Sequence, residues 1–207
     1  MQNSIILLIS LVGLFSLFCY SGLIKGEFKK GMFLYYTNLS NLFVSIYFLM
    51  LFFYRTGILP QFRFLENSAV SFSVTMIITM TFLVFHFVLV PYGLKHNEIL
   101  TEMNIKLGEC VIFHYVIPIA VILYWFIYAD KSYPGHEVSF LWLGVPFVYF
   151  IFIMLRARKG KQIDGTHSKY PYPFLDIDLI GKGKCMGNIF GLFIVFFALS
   201  YGIYYFS

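Results

Sequence analysis

The residues best suited to chemistry lie together in the stretch Tyr35-Tyr36-Thr37-Asn38-Leu39-Ser40-Asn41. Thr37, Ser40 and Asn41 are spaced i, i+3 and i+4, so on a helix their side chains share one face. A threonine hydroxyl can act as a nucleophile beside a base, and side-chain amides can donate hydrogen bonds to a developing oxyanion. The run that follows, through Tyr54, is almost entirely apolar. Polar groups in such a segment usually face a partner helix or a cavity, so this stripe predicts helix packing or a site.

The composition is that of an integral membrane protein. The chain has 207 residues, of which 59% are hydrophobic and 12% charged, whereas soluble domains are about 25% charged. The formal charge of +5 does not indicate nucleic-acid binding, because the basic residues cluster between apolar runs. The three cysteines (Cys19, Cys110 and Cys185) form no CxxC pair and no disulfide framework. We therefore expect a multi-pass protein of the cell membrane whose partners are membrane lipids, with no nucleic acid.

Six apolar runs are long enough to span a bilayer, which takes about 20 residues. They are 3–24, 33–54, 69–92, 108–128, 139–156 and 184–206. The first run lacks the basic start of a signal peptide, so we expect it to remain as a helix. The sequence therefore predicts an all-α fold, a single six-helix transmembrane bundle over residues 1–207.

The distribution of basic residues predicts the orientation. Twelve of the 15 Lys and Arg residues fall in the first, third and fifth loops. Loops rich in Lys and Arg are usually cytoplasmic. We therefore expect both termini to be extracytoplasmic.

This topology predicts that several polar residues lie at one depth in the inner leaflet. At about 1.5 Å of rise per residue, the depths from the cytoplasmic helix ends are ~8 Å for Thr37, ~9 Å for His114, ~9 Å for His86 and ~6 Å for Asn188. Polar groups that converge at one depth are typical of a site. Several of the candidate polar residues have a purely structural alternative as well: Thr37 could bond to its own helix, Asn38 and Asn41 could join helices, and His86 could reach the interface.

His114 is the hardest of these residues to explain structurally. A buried histidine is unfavourable unless it is paired, and Pro118 follows four residues later. In an α-helix, proline at this position removes the amide that would bond the carbonyl of His114. We therefore expect an opened helical turn with an imidazole and a freed carbonyl at the same level.

The fifth loop contains two further features. The basic cluster 156–161 fits either ordinary cytoplasmic bias or contact with anionic lipid headgroups. The segment Tyr170-Pro171-Tyr172-Pro173-Phe174-Leu175-Asp176 cannot form a regular helix, because of its alternating prolines. It could be an interfacial anchor, or a lid that brings Asp176 or Asp178 near the polar layer.

Three motifs carry a resemblance to a known family. They are Tyr-Tyr-Thr-x-x-Ser-Asn at 35–41, His-x-x-x-Pro at 114–118 and Tyr-Pro-Tyr-Pro-Phe-Leu-Asp at 170–176. Together they resemble a bacterial family of six-transmembrane proteins that is similar to the eukaryotic androgen-induced and androgen-dependent TFPI-regulating membrane proteins. Those eukaryotic proteins are intramembrane hydrolases of fatty acid esters of hydroxy fatty acids, with a threonine nucleophile and a histidine. The resemblance implies that Thr37 is the nucleophile and His114 the base.

The resulting hypothesis is an intramembrane lipid-ester hydrolase without a cofactor or metal. Its substrate would come from the inner leaflet, and amides of Asn38, Asn41 or Asn188 would stabilise the oxyanion. The residues expected to bind substrate are Asn38, Ser40, Asn41, His86, Tyr172, Asp176 and Asn188.

Two other classes of function stay open. His86 and His114 could be axial ligands of a b-type haem, or could hold zinc with Asp176 or Glu109. The polar layer could instead be the binding site of a small transporter or a lipid-binding protein. The chain shows no inverted repeat and no matching pair of broken helices, which argues against a transporter.

Overall fold

The computed structural model describes residues 1–96, 110–133 and 135–206. Their regular structure is helical throughout, with no strand in these ranges, which confirms the all-α prediction for them. The chain forms two compact units, Met1–Pro134 and Gly135–Ser207. The single bundle expected over residues 1–207 stays a prediction.

The first unit contains the longer series of helices. Helices α1 and α2 are separated by two 3₁₀ segments, a third precedes α3, and α4 and α5 each follow a π-helical turn. In chain order the elements are α1 (Gln2–Tyr20), 3₁₀ segments Leu23–Lys25 and Lys30–Leu34, α2 (Tyr36–Arg55), a 3₁₀ segment Pro60–Glu66, α3 (Ser68–Val84), a π turn Phe85–Leu89, α4 (Val90–His96), a π turn Ile112–Val116 and α5 (Ile117–Tyr128).

The described residues of the second unit, 135–206, form the α-helices α6 (Val138–Leu141), α7 (Gly144–Arg158), α8 (Ile177–Ile180) and α9 (Lys182–Phe206). The carbonyl of Ser139 accepts hydrogen bonds from the hydroxyl of Ser200 and from the indole Nε1 of Trp142. Trp142 also packs edge-on against Phe196. These contacts attach α6 and the residue that follows it to the C-terminal half of α9.

Five helical segments within the described residues are long and apolar enough to cross a membrane: Gln2–Tyr20, Tyr36–Arg55, Ser68–Lys95, Val138–Arg158 and Lys182–Phe206. They correspond to the first, second, third, fifth and sixth predicted runs. The fourth run contains a shorter apolar helix, Ile112–Tyr128, which follows the undescribed residues 97–109. The membrane character is thus supported, while the sixth span and the position of the termini stay predictions.

Helix α2 starts later than predicted, at Tyr36 rather than near residue 33. The preceding residues Lys30–Leu34 form a 3₁₀ turn, and Asn38 Nδ2 donates to the carbonyl of Met32 within it at 2.8 Å. This bond favours a tighter turn over a continuous α-helix. Thr37 therefore lies in the first turn of α2, and the expected depth of ~8 Å along this helix was wrong.

Helices α1 and α2 approach closely at Gly13. A Cβ atom added to Gly13 would lie 1.9 Å from Ser45 Oγ and 3.1 Å from Ser45 Cβ. Ser45 Oγ in turn donates to the carbonyl of Asn41 at 2.7 Å. Small residues at such a crossing let two helix backbones approach closely in a membrane.

Leucine at Gly13 should overpack this crossing and lower the free energy of unfolding by about 1–3 kcal/mol. Thermal unfolding in detergent, followed by tryptophan fluorescence, measures the effect. The matched control is Gly191→Leu, because a Cβ at Gly191 meets open space. Equal melting temperatures for Gly13→Leu and the control would contradict this packing.

Candidate functional site

The first unit brings Thr37 and His114 into direct contact. Thr37 Oγ1 lies 3.3 Å from Nε2 of His114. The two residues are 77 positions apart in sequence, and they come from the first turn of α2 and the π turn Ile112–Val116. A nucleophile and a base within hydrogen-bonding reach are the basic requirement for activating a hydroxyl, and this distance is often somewhat long without substrate.

The contact made by the other ring nitrogen of His114, Nδ1, determines which of the two nitrogens carries the proton. Nδ1 lies 2.9 Å from the carbonyl oxygen of Cys110, one turn earlier. A carbonyl can only accept, so this contact requires the proton on Nδ1. Nε2 then has a free lone pair that accepts the Thr37 hydroxyl. The backbone thus orients the imidazole as a carboxylate does in other nucleophile–base systems.

Phe85 holds the imidazole from its face. The two rings stack with centroids 3.7 Å apart and an interplanar angle of 25°. His114 is only 3% exposed, whereas Thr37 is half-buried. The base is thus fixed in an apolar setting, while the residue that carries the hydroxyl is partly exposed.

Pro118 explains why the turn that carries His114 is π-helical, with hydrogen bonds that span five residues instead of four. The amide of Ile117 donates to the carbonyl of Ile112, five residues earlier, rather than to that of Phe113. The donor five residues after Phe113 would be Pro118, which has no N–H. The carbonyl of Phe113 is therefore deprived of a main-chain donor, and the freed carbonyl expected at His114, whose α-helical donor would also be Pro118, stays a prediction.

The same construction occurs before α4. In the π turn Phe85–Leu89 the amide of Val90 donates to the carbonyl of Phe85, and Pro91 follows. Single π turns inside helices are rare overall, and those that occur are often found at functional sites. Here each turn places one ring of the stacked Phe85–His114 pair, so both prolines shape the site.

His86 lies beside this pair but does not contact Thr37 or His114 through a hydrogen bond. Its ring is exposed, and Nδ1 lies 3.1 Å from the hydroxyl of Tyr115. It also stacks on Phe82. The prediction that His86 binds substrate stays a prediction.

The polar stripe of α2 is used mostly for main-chain contacts. Ser40 Oγ lies 3.0 Å from the Thr37 carbonyl and 2.7 Å from Thr81 Oγ1 on α3. Asn41 Nδ2 donates to the carbonyls of Thr37 at 2.8 Å and of Phe113 at 3.1 Å. Both amide hydrogens of Asn41 are therefore committed, so this residue does not supply the oxyanion donor expected of it. Asn38 is directed at Met32 instead.

The remaining predicted residues belong to the second unit. Tyr172 is buried and stacks on Phe174 with an interplanar angle of 7°. Asn188 is exposed and donates to the carbonyl of Phe174 at 3.2 Å. Asp176 caps α8, accepting from the amide of Leu179 at 3.0 Å and from Ser168 Oγ at 2.6 Å. These contacts order the proline-rich segment, and a role of these residues in binding substrate stays a prediction.

Alanine at Asp176 should loosen the segment 168–180, because both carboxylate contacts disappear. We expect a local loss of about 1–2 kcal/mol, the usual effect of removing a helix cap. Hydrogen–deuterium exchange of this segment should become faster. In the control Asp178→Ala, the lost partner is an exposed ion pair with Lys169 at 2.7 Å, so little change is expected. Unchanged exchange in Asp176→Ala would contradict the capping role.

The structure adds contacts that the sequence did not single out. Phe85, Pro91 and the carbonyl of Cys110 all shape the surroundings of His114. Cys110 lies one turn before His114, a spacing visible in the sequence, but any residue at that position would offer a carbonyl. The stacking of Phe85 depends on how two distant helices pack, which no local pattern indicates.

The described residues contain no group of three or more His, Cys, Asp or Glu side chains that could hold a metal ion. Glu109, one of the proposed zinc ligands, lies outside the described residues. No protein-family model, curated protein or solved structure matches the chain.

Proposed function

We propose that the protein is an intramembrane lipid-ester hydrolase with Thr37 as nucleophile and His114 as general base. The observation that carries the proposal is the contact of Thr37 Oγ1 with His114 Nε2 at 3.3 Å, combined with the contact of His114 Nδ1 with the Cys110 carbonyl. Together they leave the lone pair of Nε2 directed at the hydroxyl. The resemblance of the motifs around Thr37 and His114 to a family of threonine hydrolases supports the same roles.

The reaction proceeds in two steps, acylation of Thr37 and hydrolysis of the acyl-threonine. Thr37 Oγ1 attacks the carbonyl carbon of the ester while its proton passes to Nε2 of His114. The tetrahedral intermediate then breaks its bond to the alcohol oxygen, which leaves with the proton from Nε2. Water next attacks the acyl-threonine and gives a proton to Nε2. Collapse returns this proton to Thr37 and releases the carboxylic acid.

The position of Thr37 in the helix favours negative charge on the reacting oxygens. It is the second residue of α2, a helix of 20 residues. The helix dipole places a partial positive charge at this end, and its effect is strongest in the first turn. This contribution replaces the donor role that the sequence suggested for Asn41.

The surroundings of Thr37 and His114, the proposed catalytic dyad, favour an apolar substrate. The imidazole is packed against Phe85, and the helices around it are apolar enough to lie in a membrane. An ester with long acyl chains can approach such a site from the bilayer. We propose fatty acid esters of hydroxy fatty acids as the substrate type, drawn from the inner leaflet with both termini extracytoplasmic.

Hydrolysis by the purified protein in phospholipid vesicles tests this function. The vesicles carry either a long-chain ester of a hydroxy fatty acid or the matching amide, and release of free fatty acid is measured. We expect release from the ester and little from the amide, whose leaving group is far poorer. No release from the ester above that of protein-free vesicles would contradict the proposal.

A haem protein is the second candidate, because His86 and His114 lie on neighbouring π turns. A haem iron bound through Nε2 of His114 would have to replace the contact with Thr37. Haem binding would produce a Soret absorbance band in protein expressed with haem supplied. Such a band, lost in both His86→Gln and His114→Gln, would favour this candidate over the hydrolase.

A further inference from the structure

Asn41 connects the two helical segments that carry the proposed dyad. Its Nδ2 donates at 2.8 Å to the carbonyl of Thr37 and at 3.1 Å to that of Phe113. The first carbonyl belongs to the nucleophile itself, and the second precedes the base by one residue. Asn41 is fully buried. One side-chain amide thus ties the backbone of Thr37 to the backbone beside His114.

The carbonyl of Phe113 depends on this amide for a hydrogen bond, because neither of its possible main-chain donors is available. Its α-helical donor, the Ile117 amide, is bonded to Ile112, and its π-helical donor would be Pro118, which lacks an N–H. A buried carbonyl without a donor is strongly unfavourable. The Asn41 amide therefore binds at the point where the proline has opened the helix.

We propose that Asn41 is a positioning residue that holds Thr37 and His114 in register, an inference that rests on the proposed hydrolase function. Without its two hydrogen bonds, the π turn can shift relative to α2, and Nε2 moves away from Oγ1. Pro118 and Asn41 thereby act together: the proline exposes the carbonyl, and the asparagine uses it to set the distance between the reacting atoms.

Two substitutions remove the amide donors while keeping the number and branching of the side-chain heavy atoms, Asn41→Leu and the isosteric Asn41→Asp. Ser45→Ala is the control, because Ser45 lies one turn further on, is equally buried and also bonds a main-chain carbonyl, that of Asn41. The first readout is the rate of labelling by a fluorophosphonate. The second is the ¹⁵N NMR signal of the His114 imidazole, assigned by its loss in His114→Gln.

We expect labelling of both Asn41 variants to slow by roughly 10²-fold, the effect of misplacing reacting groups by about 1 Å. The Nε2 signal should move toward the value of a ring nitrogen that accepts no hydrogen bond. Ser45→Ala should keep the wild-type rate and signal. A folded Asn41 variant with the wild-type imidazole signal would overturn the inference. A wild type that is not labelled, while its imidazole signal still depends on Asn41, would instead count against the hydrolase function and leave the positioning role supported.

Discussion

Substitution of Thr37 by alanine is expected to abolish covalent labelling and ester hydrolysis, with a loss of at least about 10³-fold in rate. The reason is that the Thr37 hydroxyl lies 3.3 Å from Nε2 of His114, so alanine removes the group that the base would activate. Thr37 is half-buried and its carbonyl, not its side chain, holds the neighbouring Ser40 and Asn41. The fold should therefore survive the substitution.

Two control variants sharpen this test. Thr37→Ser keeps the hydroxyl and should retain measurable hydrolysis, although its freer rotation lowers the rate. Ser40→Ala removes a hydroxyl one turn away, which contacts Thr81 at 2.7 Å rather than His114. Hydrolysis that persists in Thr37→Ala but disappears in Ser40→Ala would show that the nucleophile has been assigned to the wrong residue.

Glutamine at His114 is expected to have a comparable effect on the rate, again at least about 10³-fold. A neutral amide cannot take the proton of the threonine hydroxyl, so the nucleophile is no longer activated. Some loss of stability should accompany it, because the Phe85 ring loses a stacking partner at 3.7 Å. Labelling rates and thermal unfolding, measured on the same sample, separate the two effects.

His86→Gln is the matched control for this variant. It also changes a histidine on a π turn beside an aromatic ring, but His86 is exposed and bonds Tyr115 rather than Thr37. Less than about a tenfold change in rate is expected, in line with the loss of one hydrogen bond. Equal losses in the two variants would contradict the assignment of His114 as the only general base.

The helices were the most predictable feature. Within the described residues, five of the six apolar runs contain a helix of spanning length, because length and hydropathy together are a strong signal. The start of α2 was missed because apolar residues continue upstream of Tyr36 and do not distinguish a 3₁₀ turn from an α-helix. The bond from Asn38 to Met32, which favours that turn, is a tertiary detail that hydropathy does not contain.

The pairing of Thr37 with His114 was suggested by the motifs, and their geometry came from the packing. Proline at 118 correctly indicated an opened turn. It did not indicate the π register, which deprives the carbonyl of Phe113 of a main-chain donor and lets it accept from Asn41. The stripe of α2 was predicted to face either a partner helix or a site, and the contacts of Ser40 and Asn41 with main-chain carbonyls and with Thr81 on α3 favour helix packing for these two residues. Sequence spacing gives the face of a helix but not the partner on that face.

The most direct test of the account is to identify the residue that a fluorophosphonate modifies in the wild-type protein. Trypsin releases the peptide 31–55 by cleavage after Lys30 and Arg55, and fragmentation mass spectrometry distinguishes Thr37 from Ser40 and Ser45 within it. We expect a single adduct on Thr37, absent in Thr37→Ala and strongly reduced in His114→Gln. An adduct on another residue, or none at all, would contradict the threonine–histidine dyad.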